Sequence, residues 1–328
     1  MRIINLILAV IVCVALMACS GPNINIFNVA REPLREYTLY GSGKNKILLI
    51  PINGTISDAP DKDLFQTEPS MVELVVAQLN KAANDEKVKT VLLEINSPGG
   101  TITASDFLYH EILSFKEKTG KKVAVAMMDY AASGGYYISL PADEIIAHPT
   151  TVTGSVGVIF LRPKFFGLMD KIGLGVDVKK FGRDKDMGSP FRESTDEEQK
   201  LMQKMVDEFG DRFVQLVQKH RHLNAESLAE VTTARVFTAN EALKLGLVDK
   251  IGYLDDAINE ARKIAKLTAA DTRVVVYRRV EVPEDNYYNA ATVSAGKSNL
   301  PLINLDLSES MHLRTGFYYL WPAAVGAE

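Results

Sequence analysis

Short apolar runs alternate with longer amphipathic segments over much of the chain. The apolar runs read KILLIPI, KTVLLEIN, KKVAVAMMD, EIIAHP and GSVGVIF. Between them, segments such as MVELVVAQLNKAAND and TITASDFLYHEILSFKEK repeat apolar residues at helical spacing. Strands that are apolar throughout, and that alternate with helices, are typical of a parallel sheet covered on both faces. The pattern therefore predicts an α/β fold with a largely parallel sheet flanked by helices.

The pattern of the chain changes from Ser194 onward. VDVKKF, residues 176–181, is predicted as one more strand. Ser194 and Glu197 then predict the cap of a long helix that ends near His220, and further helical segments continue to about residue 267. This helical region after Ser194 extends the α/β core on its C-terminal side and is a candidate contact surface between subunits, although the same apolar stripe would also serve to cover the sheet.

The last residues give the weakest pattern. TRVVVYRR predicts a strand, VPEDNYYNAATVSAGKSN a loop, and TGFYYLWP is a terminal aromatic stretch. Four roles are open for that stretch: covering a neighbouring subunit, touching a membrane, closing the mouth of an assembly, or packing on its own domain.

The N-terminus predicts export. Arg2 precedes a continuous apolar run that closes as Leu16-Met17-Ala18-Cys19, followed by Ser20. This ending resembles the lipobox of bacterial lipoproteins, which implies that Cys19 is lipidated and becomes the mature first residue. An uncleaved anchor helix is the alternative. Both interpretations tether the body to a membrane of the bacterial cell envelope, outside the cytoplasm, which is the periplasm in a Gram-negative cell.

Charge and cysteine content bear on the expected partners and on possible metal or disulfide sites. The 328 residues carry a formal net charge of −4, which gives no reason to expect nucleic acid as a partner. Both cysteines, Cys13 and Cys19, lie near the start, so the body has no internal disulfide or thiolate metal site, and no cofactor is expected. We divide the chain into a signal peptide (1–18), a leader (19–44), a main domain (45–265) and a C-terminal extension (266–328).

Two glycine-rich turns carry the candidate chemistry. They are Ser97-Pro98-Gly99-Gly100 and Ala132-Ser133-Gly134-Gly135, each between a predicted strand and a predicted helix. Such turns leave backbone N–H groups free at a helix start, and glycine lets a substrate approach closely. One N–H from each turn could stabilise the oxyanion that forms when an acyl carbonyl is attacked. Ser133 would be the attacking group.

A serine nucleophile needs a base. None of the five histidines falls in a recognisable triad arrangement. A lysine can serve if burial or nearby positive charge lowers its pKa from about 10.4 towards roughly 7 to 8. Lys179, Lys180 and Lys185 are the candidates in VKKFGRDKDMGSP, and spacing alone does not choose among them.

Four ordered motifs resemble a known family. INSPGG, ASGGYYIS, TGSVGV and GRDKDMGSPFRE are similar to the signal peptide peptidase A family of serine proteases, over roughly residues 45–262. The resemblance implies Ser133 as nucleophile, Lys185 as general base, and Ser155 as the residue that orients the lysine. It also implies Gly99 and Gly134 as oxyanion donors, with Gly100 as an alternative to Gly99. Asp184 and Asp186 would have to point away from Lys185.

The same resemblance implies a fold related to Clp protease and crotonase. Clp protease uses a histidine base in the segment that corresponds to TGSVGV, where this chain has Ser155, and this departure favours a serine–lysine dyad. The implied activity is endopeptidase cleavage of remnant signal peptides or other unstructured membrane-proximal chains, by subunits assembled in a homo-oligomeric ring. A crotonase-like enzyme acting on acyl thioesters and an inactive membrane scaffold are the alternatives.

Overall fold

The computed structural model describes residues 32–62, 67–290 and 315–325. The strands within these ranges are β1 (Arg35–Gly41), β2 (Asn45–Asn53), β3 (Asp61–Lys62), β4 (Thr67–Glu68), β5 (Val88–Ser97), β6 (Gly99–Thr101), β7 (Lys122–Ala132), β8 (Glu144–Ala147), β9 (Val152–Gly154), β10 (Ile159–Leu161), β11 (Val236–Thr238), β12 (Lys250–Ile251), β13 (Thr272–Arg278) and β14 (Gly316–Leu320). The helices are α1 (Met71–Ala83), α2 (Ile102–Thr119), α3 (Gly134–Ser139), α4 (Phe166–Lys171), α5 (Asp196–Arg221), α6 (Ala225–Val231), α7 (Ala239–Leu245), α8 (Leu254–Ile264) and a short 3₁₀ turn, Pro322–Ala324.

One large sheet organises the molecule. Its strand order is β1-β13-β2-β5-β7-β8-β12, with β9 beside β7 and β11 beside β9. The pairs from β13 to β12 along this order are parallel, and so is β7 with β9. Only β1 with β13 and β11 with β9 are antiparallel among the described strands of this sheet. The predicted α/β fold, with a largely parallel sheet flanked by helices, is confirmed.

The sheet has two separate hydrophobic cores, one on each of its faces, and they explain why its strands are apolar throughout. Along β2, Leu48 and Ile50 belong to the larger core, whereas Ile47 and Leu49 belong to the smaller one. The larger core is completed by α1, α2 and α5, and the smaller one by α8. Because successive side chains of a strand point to opposite faces, burial on both sides requires an uninterrupted apolar run.

The sheet extends beyond residues 45–265 on both sides. Strand β1, from the predicted leader, pairs with β13, from the predicted C-terminal extension, and β13 in turn pairs with β2. The predicted signal peptide and Cys19 lie outside the described residues. Within the described ranges, no helix combines the length and apolar character needed to cross a bilayer.

Three local predictions are wrong. GSVGVIF is not one strand, because β9 ends at Gly154 and β10 begins at Ile159. The long helix α5 is capped by Thr195 with Glu198, one residue later than the predicted pair, because the Ser194 hydroxyl instead accepts a hydrogen bond from Arg162 at 2.6 Å. Residues 176–181 form no strand, and their apolar side chains are exposed with no neighbouring strand to pair with among the described residues. The terminal aromatic stretch packs on its own chain as β14, between β10 and β6.

A buried carboxyl group on β5 makes the stability of the fold depend on pH. Glu94 is 8% exposed, its Oε2 atom has no hydrogen-bond partner among the described residues, and burial raises its pKa to about 7. A raised carboxyl pKa favours the folded state at low pH, and this contribution is lost as pH rises through the folded value. We therefore expect Glu94→Gln to stabilise the protein relative to wild type at pH 8, by roughly 1–3 kcal/mol more than at pH 5.

Denaturant unfolding at both pH values measures this difference. Glu86→Gln, which changes an exposed carboxylate in the turn before β5, is the matched control for the loss of one carboxylate. An equal effect of Glu94→Gln at pH 5 and pH 8 would show that Glu94 is already ionised in the folded protein.

Candidate active site

Ser133 occupies a strained turn between β7 and α3. Its backbone has φ 52° and ψ −112°, in a region that residues other than glycine rarely adopt. Such a conformation costs of order 1–3 kcal/mol and clusters at functional sites. The Ser133 N–H donates to the carbonyl oxygen of Gly154 at 2.7 Å, which fixes the turn against β9. The side chain is 1% exposed, and its Oγ has no hydrogen-bond partner among the described residues.

Close packing explains the two glycines after the serine. A Cβ atom at Gly134 would lie 2.6 Å from the Ser105 hydroxyl of α2, and one at Gly135 would lie 2.7 Å from the Ser97 carbonyl oxygen at the end of β5. Larger residues would push α3 away from these neighbours. The Gly-Gly pair therefore lets the serine turn sit directly against the end of the adjacent strand.

The two predicted glycine turns meet at this point. Gly99 has φ 102°, and a Cβ atom there would lie 2.7 Å from the Gly134 nitrogen. The two predicted oxyanion donors are therefore neighbours beside Ser133. The Gly99 N–H also donates to the Ser97 hydroxyl at 3.1 Å, while Gly100 pairs with Tyr319 of β14. The Gly99 N–H is therefore committed to Ser97 in this state and would have to leave that hydroxyl to serve as the second donor, for which Gly100 is the alternative.

Ser155 lies beside the serine turn because β9 pairs with β7. Ala132 is opposite Gly154 in this pairing, and Ser155 follows directly. Ser155 also has a positive φ, 52°, and its N–H donates to the Arg235 carbonyl oxygen at 2.9 Å. The structure therefore brings the serine turn, the first glycine turn and Ser155 together from separate stretches of the sequence.

Lys185 is not brought to Ser133 in this single chain. It lies in the segment between α4 and α5, its side chain is exposed, and its Nζ makes no hydrogen bond or ion pair with the residues that the structure describes. The serine hydroxyl is likewise without a partner among them. The side chains of Ser133 and Lys185, the two members of the expected dyad, therefore each lack a hydrogen-bond partner among the described residues.

The carboxylates beside Lys185 are directed to other cations. Asp184 pairs with Arg183 at 3.0 Å, and Asp186 pairs with Lys180 at 2.5 Å. Asp186 also accepts hydrogen bonds from Arg192, and these two cations hold the pKa of the Asp186 carboxyl below its usual range. Neither carboxylate forms an ion pair with Lys185. The dyad requires this absence, because a carboxylate beside a lysine favours its charged form.

Arg192 is a residue of the site region that the sequence does not single out. Its guanidinium contacts both Asp186 and Glu198, the latter in the first turn of α5. One side chain thus ties the lysine-bearing segment to the start of a long helix. The signal was present as the arginine of GSPFRE, but nothing in the sequence shows which carboxylates it meets.

Histidine catalysis finds no support in the geometry. His220 Nε2 is 2.8 Å from the Tyr109 hydroxyl, and burial together with Lys219 and Lys116 lowers the pKa of His220 to about 4. His148 Nδ1 is 2.8 Å from the Thr150 hydroxyl. In the described part of the chain, no imidazole reaches the hydroxyl of Ser133.

Comparison with known proteins places these residues in a family. The family model described as Peptidase family S49 matches residues 115–268, and the one described as Clp protease matches residues 65–151. Together they span the serine turn, the glycine turn and the lysine segment. With the parallel sheet and its flanking helices, the second match shows a Clp protease-like fold.

Three relatives with curated names are also named as a peptidase or a protease. An Enterococcus faecium protein named "Putative signal peptide peptidase SppA" is 38% identical over 253 residues, which are 77% of this chain and 73% of that protein. A Synechocystis protein whose name also describes it as a protease is 33% identical over 272 residues, 82% of this chain and 91% of that protein. "Protease 4" of Haemophilus influenzae is 34% identical over 223 residues, which are 67% of this chain but 35% of that longer protein.

Among solved structures, a point mutant of ClpP1 from Listeria monocytogenes aligns with a TM-score of 0.41 and 20% identity, covering 66% of this chain and 95% of that one. The assignment rests on the family models and the curated relatives, which favour a peptidase over the thioester enzyme and the scaffold. This chain belongs to peptidase family S49 and is a serine protease.

Proposed function

We propose that this protein is a membrane-tethered endopeptidase that cleaves remnant signal peptides or other unstructured polypeptides with Ser133 as nucleophile and Lys185 as general base. One observation carries the proposal: a serine on a strained strand-to-helix turn, with an unpartnered hydroxyl, beside two mutually contacting glycine turns. Backbone strain of this kind persists only where the surrounding structure imposes it.

The proposed chemistry needs no group beyond these residues and water. The neutral amine of Lys185 takes the proton of Ser133 as Oγ bonds to the substrate carbonyl carbon, and the resulting oxyanion accepts hydrogen bonds from Gly134 and from Gly99 or Gly100. The lysine then passes the proton to the leaving amine as the C–N bond breaks. Water, activated by the same lysine, hydrolyses the acyl ester. Ser155, beside the turn, would orient the lysine amine.

This mechanism requires the lysine-bearing segment to close over Ser133. In the single chain, this segment and its flanks expose many large apolar side chains: Phe165, Leu168, Ile172, Leu174, Val176, Val178, Phe181 and Phe191. Phe181, four residues before Lys185, is 100% exposed. Burial of such a patch against a second copy would stabilise an assembly and remove Lys185 from water.

A homo-oligomer is therefore part of the proposal, in agreement with the ring implied by the sequence. Exclusion of water from Lys185 would favour its uncharged form, which is the form that can act as a base. Light scattering should then give a molar mass several times that of one chain under conditions where the enzyme is active, and a monomeric active enzyme would contradict this part.

The proposed substrate class follows from the glycine turn and the proposed tether. Strand β6 carries Gly99, so a substrate whose carbonyl reaches this turn would run along β6 in extended form, and an unstructured chain supplies that form without first unfolding. A lipid on Cys19 would keep the site close to the membrane, where apolar peptide fragments accumulate.

Peptide hydrolysis tests the proposal. The full-length enzyme in bilayer vesicles should cleave an unstructured apolar peptide of signal-peptide composition but leave a folded protein intact, whereas Ser133→Ala should have no activity above background. Mass spectrometry of the mature N-terminus should find acyl chains on Cys19, and Cys19→Ser should lack them while retaining the activity. Equal hydrolysis by wild type and Ser133→Ala would refute the assignment of the nucleophile, and an unacylated Cys19 in the wild type would refute lipid anchoring at that residue.

A further inference from the structure

The guanidinium of Arg192 joins two parts of the chain that the proposed mechanism must hold together. Its Nε donates to Asp186 Oδ2 and its Nη2 to Asp186 Oδ1, both at 2.9 Å. Its Nη1 donates to Glu198 Oε2 at 2.9 Å, and Nη2 also contacts Glu198 Oε1. Asp186 directly follows Lys185, whereas Glu198 belongs to the first turn of α5. One planar cation therefore bridges two carboxylates, each through two contacts.

The contact with α5 is part of the cap of that helix. The Glu198 side chain is buried, and its Oε2 atom also accepts the Thr195 N–H at 3.0 Å in the capping box of α5. Arg192 and this N–H lower the pKa of the Glu198 carboxyl to about 2. A buried carboxylate needs such partners to remain charged, so the arginine and the start of the helix stabilise each other.

The main chain around Lys185 is also tied to Arg192. The Lys185 N–H donates to the Gly182 carbonyl oxygen at 3.4 Å, and the Ser189 N–H donates to the Asp186 carbonyl oxygen at 3.0 Å. The same Asp186 oxygen accepts a hydrogen bond from Arg192 Nη2 at 3.2 Å. Both the backbone and the side chain of the residue after Lys185 are thus fixed by Arg192, and through it by α5.

The long helix α5 is the anchor of this arrangement. Phe213 and Val217 belong to the larger core, so the second half of the helix is fixed to the body of the protein. The first half is mostly exposed, and Glu198 is buried there against Arg192. When the segment closes over Ser133, as the proposed function requires, its lysine and the first turn of α5 would therefore move as one unit.

The Asp186 carboxylate is the group that Arg192 keeps away from the lysine. Arg192 and Lys180 together hold the pKa of the Asp186 carboxyl below its usual range. Without Arg192, the carboxylate would be held only by Lys180, a side chain that is 35% exposed. A carboxylate that turned toward the adjacent Lys185 would favour the charged form of the amine, which cannot act as a base.

Other charged groups of this region have different partners. Asp184, on the other side of the lysine, pairs with Arg183 at 3.0 Å. Arg162, which approaches the segment from the chain after β10, donates to a serine hydroxyl at 2.6 Å. Loss of Arg192 would therefore release a carboxylate next to the lysine, that of Asp186, without releasing these groups.

We infer that Arg192 is a positioning residue for the proposed base: it fixes the lysine segment to α5 and keeps the Asp186 carboxylate directed away from the amine of Lys185. The inference rests on the proposed function, because it takes Lys185 as the base. Arginine suits this role better than lysine, because its planar fork of N–H groups holds two carboxylates at once, whereas an ammonium group is a point charge.

The pH dependence of peptide hydrolysis by the full-length enzyme tests the inference. Arg192→Gln should lower kcat about 10–100-fold with little change in KM, because a displaced base slows the chemistry and not the binding of substrate. The low-pH limb of kcat/KM should move about 1 unit to higher pH, because the released carboxylate keeps the lysine charged. Adding Asp186→Asn should return this limb to its wild-type position without restoring kcat. A merely structural role would lower kcat and leave the limb in place.

Lys250→Gln is the matched control for the loss of a cation that bridges two carboxylates. Lys250 contacts Glu144 at 2.7 Å and Glu260 at 2.6 Å on the edge strand β12. This variant should lose some thermal stability but keep the kcat and the pH profile of wild type. Arg192→Lys, which keeps the charge without the fork, should lie between Arg192→Gln and wild type, and it replaces Arg192→Gln should that variant prove unfolded by circular dichroism. A wild-type kcat and low-pH limb in the folded variant would overturn the inference.

Chemical labelling of the lysine separates this inference from the proposed function. Acetic anhydride acetylates an amine in its uncharged form, so the pH dependence of Lys185 acetylation in the Ser133→Ala chain, measured by mass spectrometry, reports the charge of the lysine without catalysis. The half-maximal pH should rise with Arg192→Gln and return when Asp186→Asn is added. An unchanged half-maximal pH would overturn the inference. If it shifts while Lys185→Ala still hydrolyses peptides, the proposed base is wrong and the effect of Arg192 on the lysine stands.

Discussion

A Lys185→Ala enzyme is expected to hydrolyse peptides about 10²–10⁴-fold more slowly than wild type, because general-base catalysis contributes about that factor. Lys185→Arg should lose as much, since a guanidinium keeps its proton and cannot act as a base. Steady-state hydrolysis of an unstructured peptide measures the effect, and the kcat value should fall with little change in KM.

The other two lysines of the same stretch provide matched controls. Lys179 pairs only with the exposed Asp177 among the described residues, so Lys179→Ala should keep full activity. Lys180 pairs with Asp186, and Lys180→Ala should lose only a modest part of the activity through loosening of the segment. A large loss in Lys180→Ala or Lys179→Ala together with an active Lys185→Ala would move the base to another residue.

Gly99→Ala is expected to reduce kcat by about 10²–10³-fold, which is the usual effect of removing one oxyanion donor. The new Cβ atom would lie 2.0 Å from the Tyr319 carbonyl oxygen of β14 and 2.7 Å from the Gly134 nitrogen, at a φ of 102°, so the Gly99 turn must move away from both neighbours. That movement displaces an N–H group from the developing oxyanion.

Strain alone does not produce that loss, and Gly120→Ala separates the two effects. Gly120 also has a positive φ, 67°, but a Cβ atom there meets nothing within 4 Å. Both variants should lose stability of order 1 kcal/mol from the positive φ, Gly99→Ala should lose more because of its backbone clashes, and only Gly99→Ala should lose kcat. Comparable kcat values for the two variants would show that the Gly99 turn takes no part in the chemistry.

Much of the fold was predictable because burial on both faces of a sheet produces a clear pattern. Every long central strand, from KILLIPI to KKVAVAMMD, had to be apolar throughout, and the glycines after Ser133 had to be small to pack against Ser97. The serine and glycine turns could be placed together from sequence because parallel strands end at one edge of a sheet.

Other features depend on contacts that no local pattern encodes. The strand predicted at residues 176–181 is absent because its apolar side chains have no neighbouring strand in the described part of the chain. The order of apolar and polar residues in one segment does not show whether a partner strand exists. Strands β1 and β13 pair across more than two hundred residues of sequence, and β14 reaches β6 over a similar distance. Aromatic content marked TGFYYLWP as unusual, but only the register shows that its Tyr319 carbonyl faces the glycine turns.

In the proposed mechanism the hydroxyl of Ser133 is the nucleophile, and Lys185 activates it. Labelling with a fluorophosphonate, followed by mass spectrometry of the digested protein, measures this directly. We expect one adduct, on Ser133, formed at least tenfold more slowly in Lys185→Ala than in wild type. An adduct on another residue, or no adduct in the wild type, would contradict this mechanism.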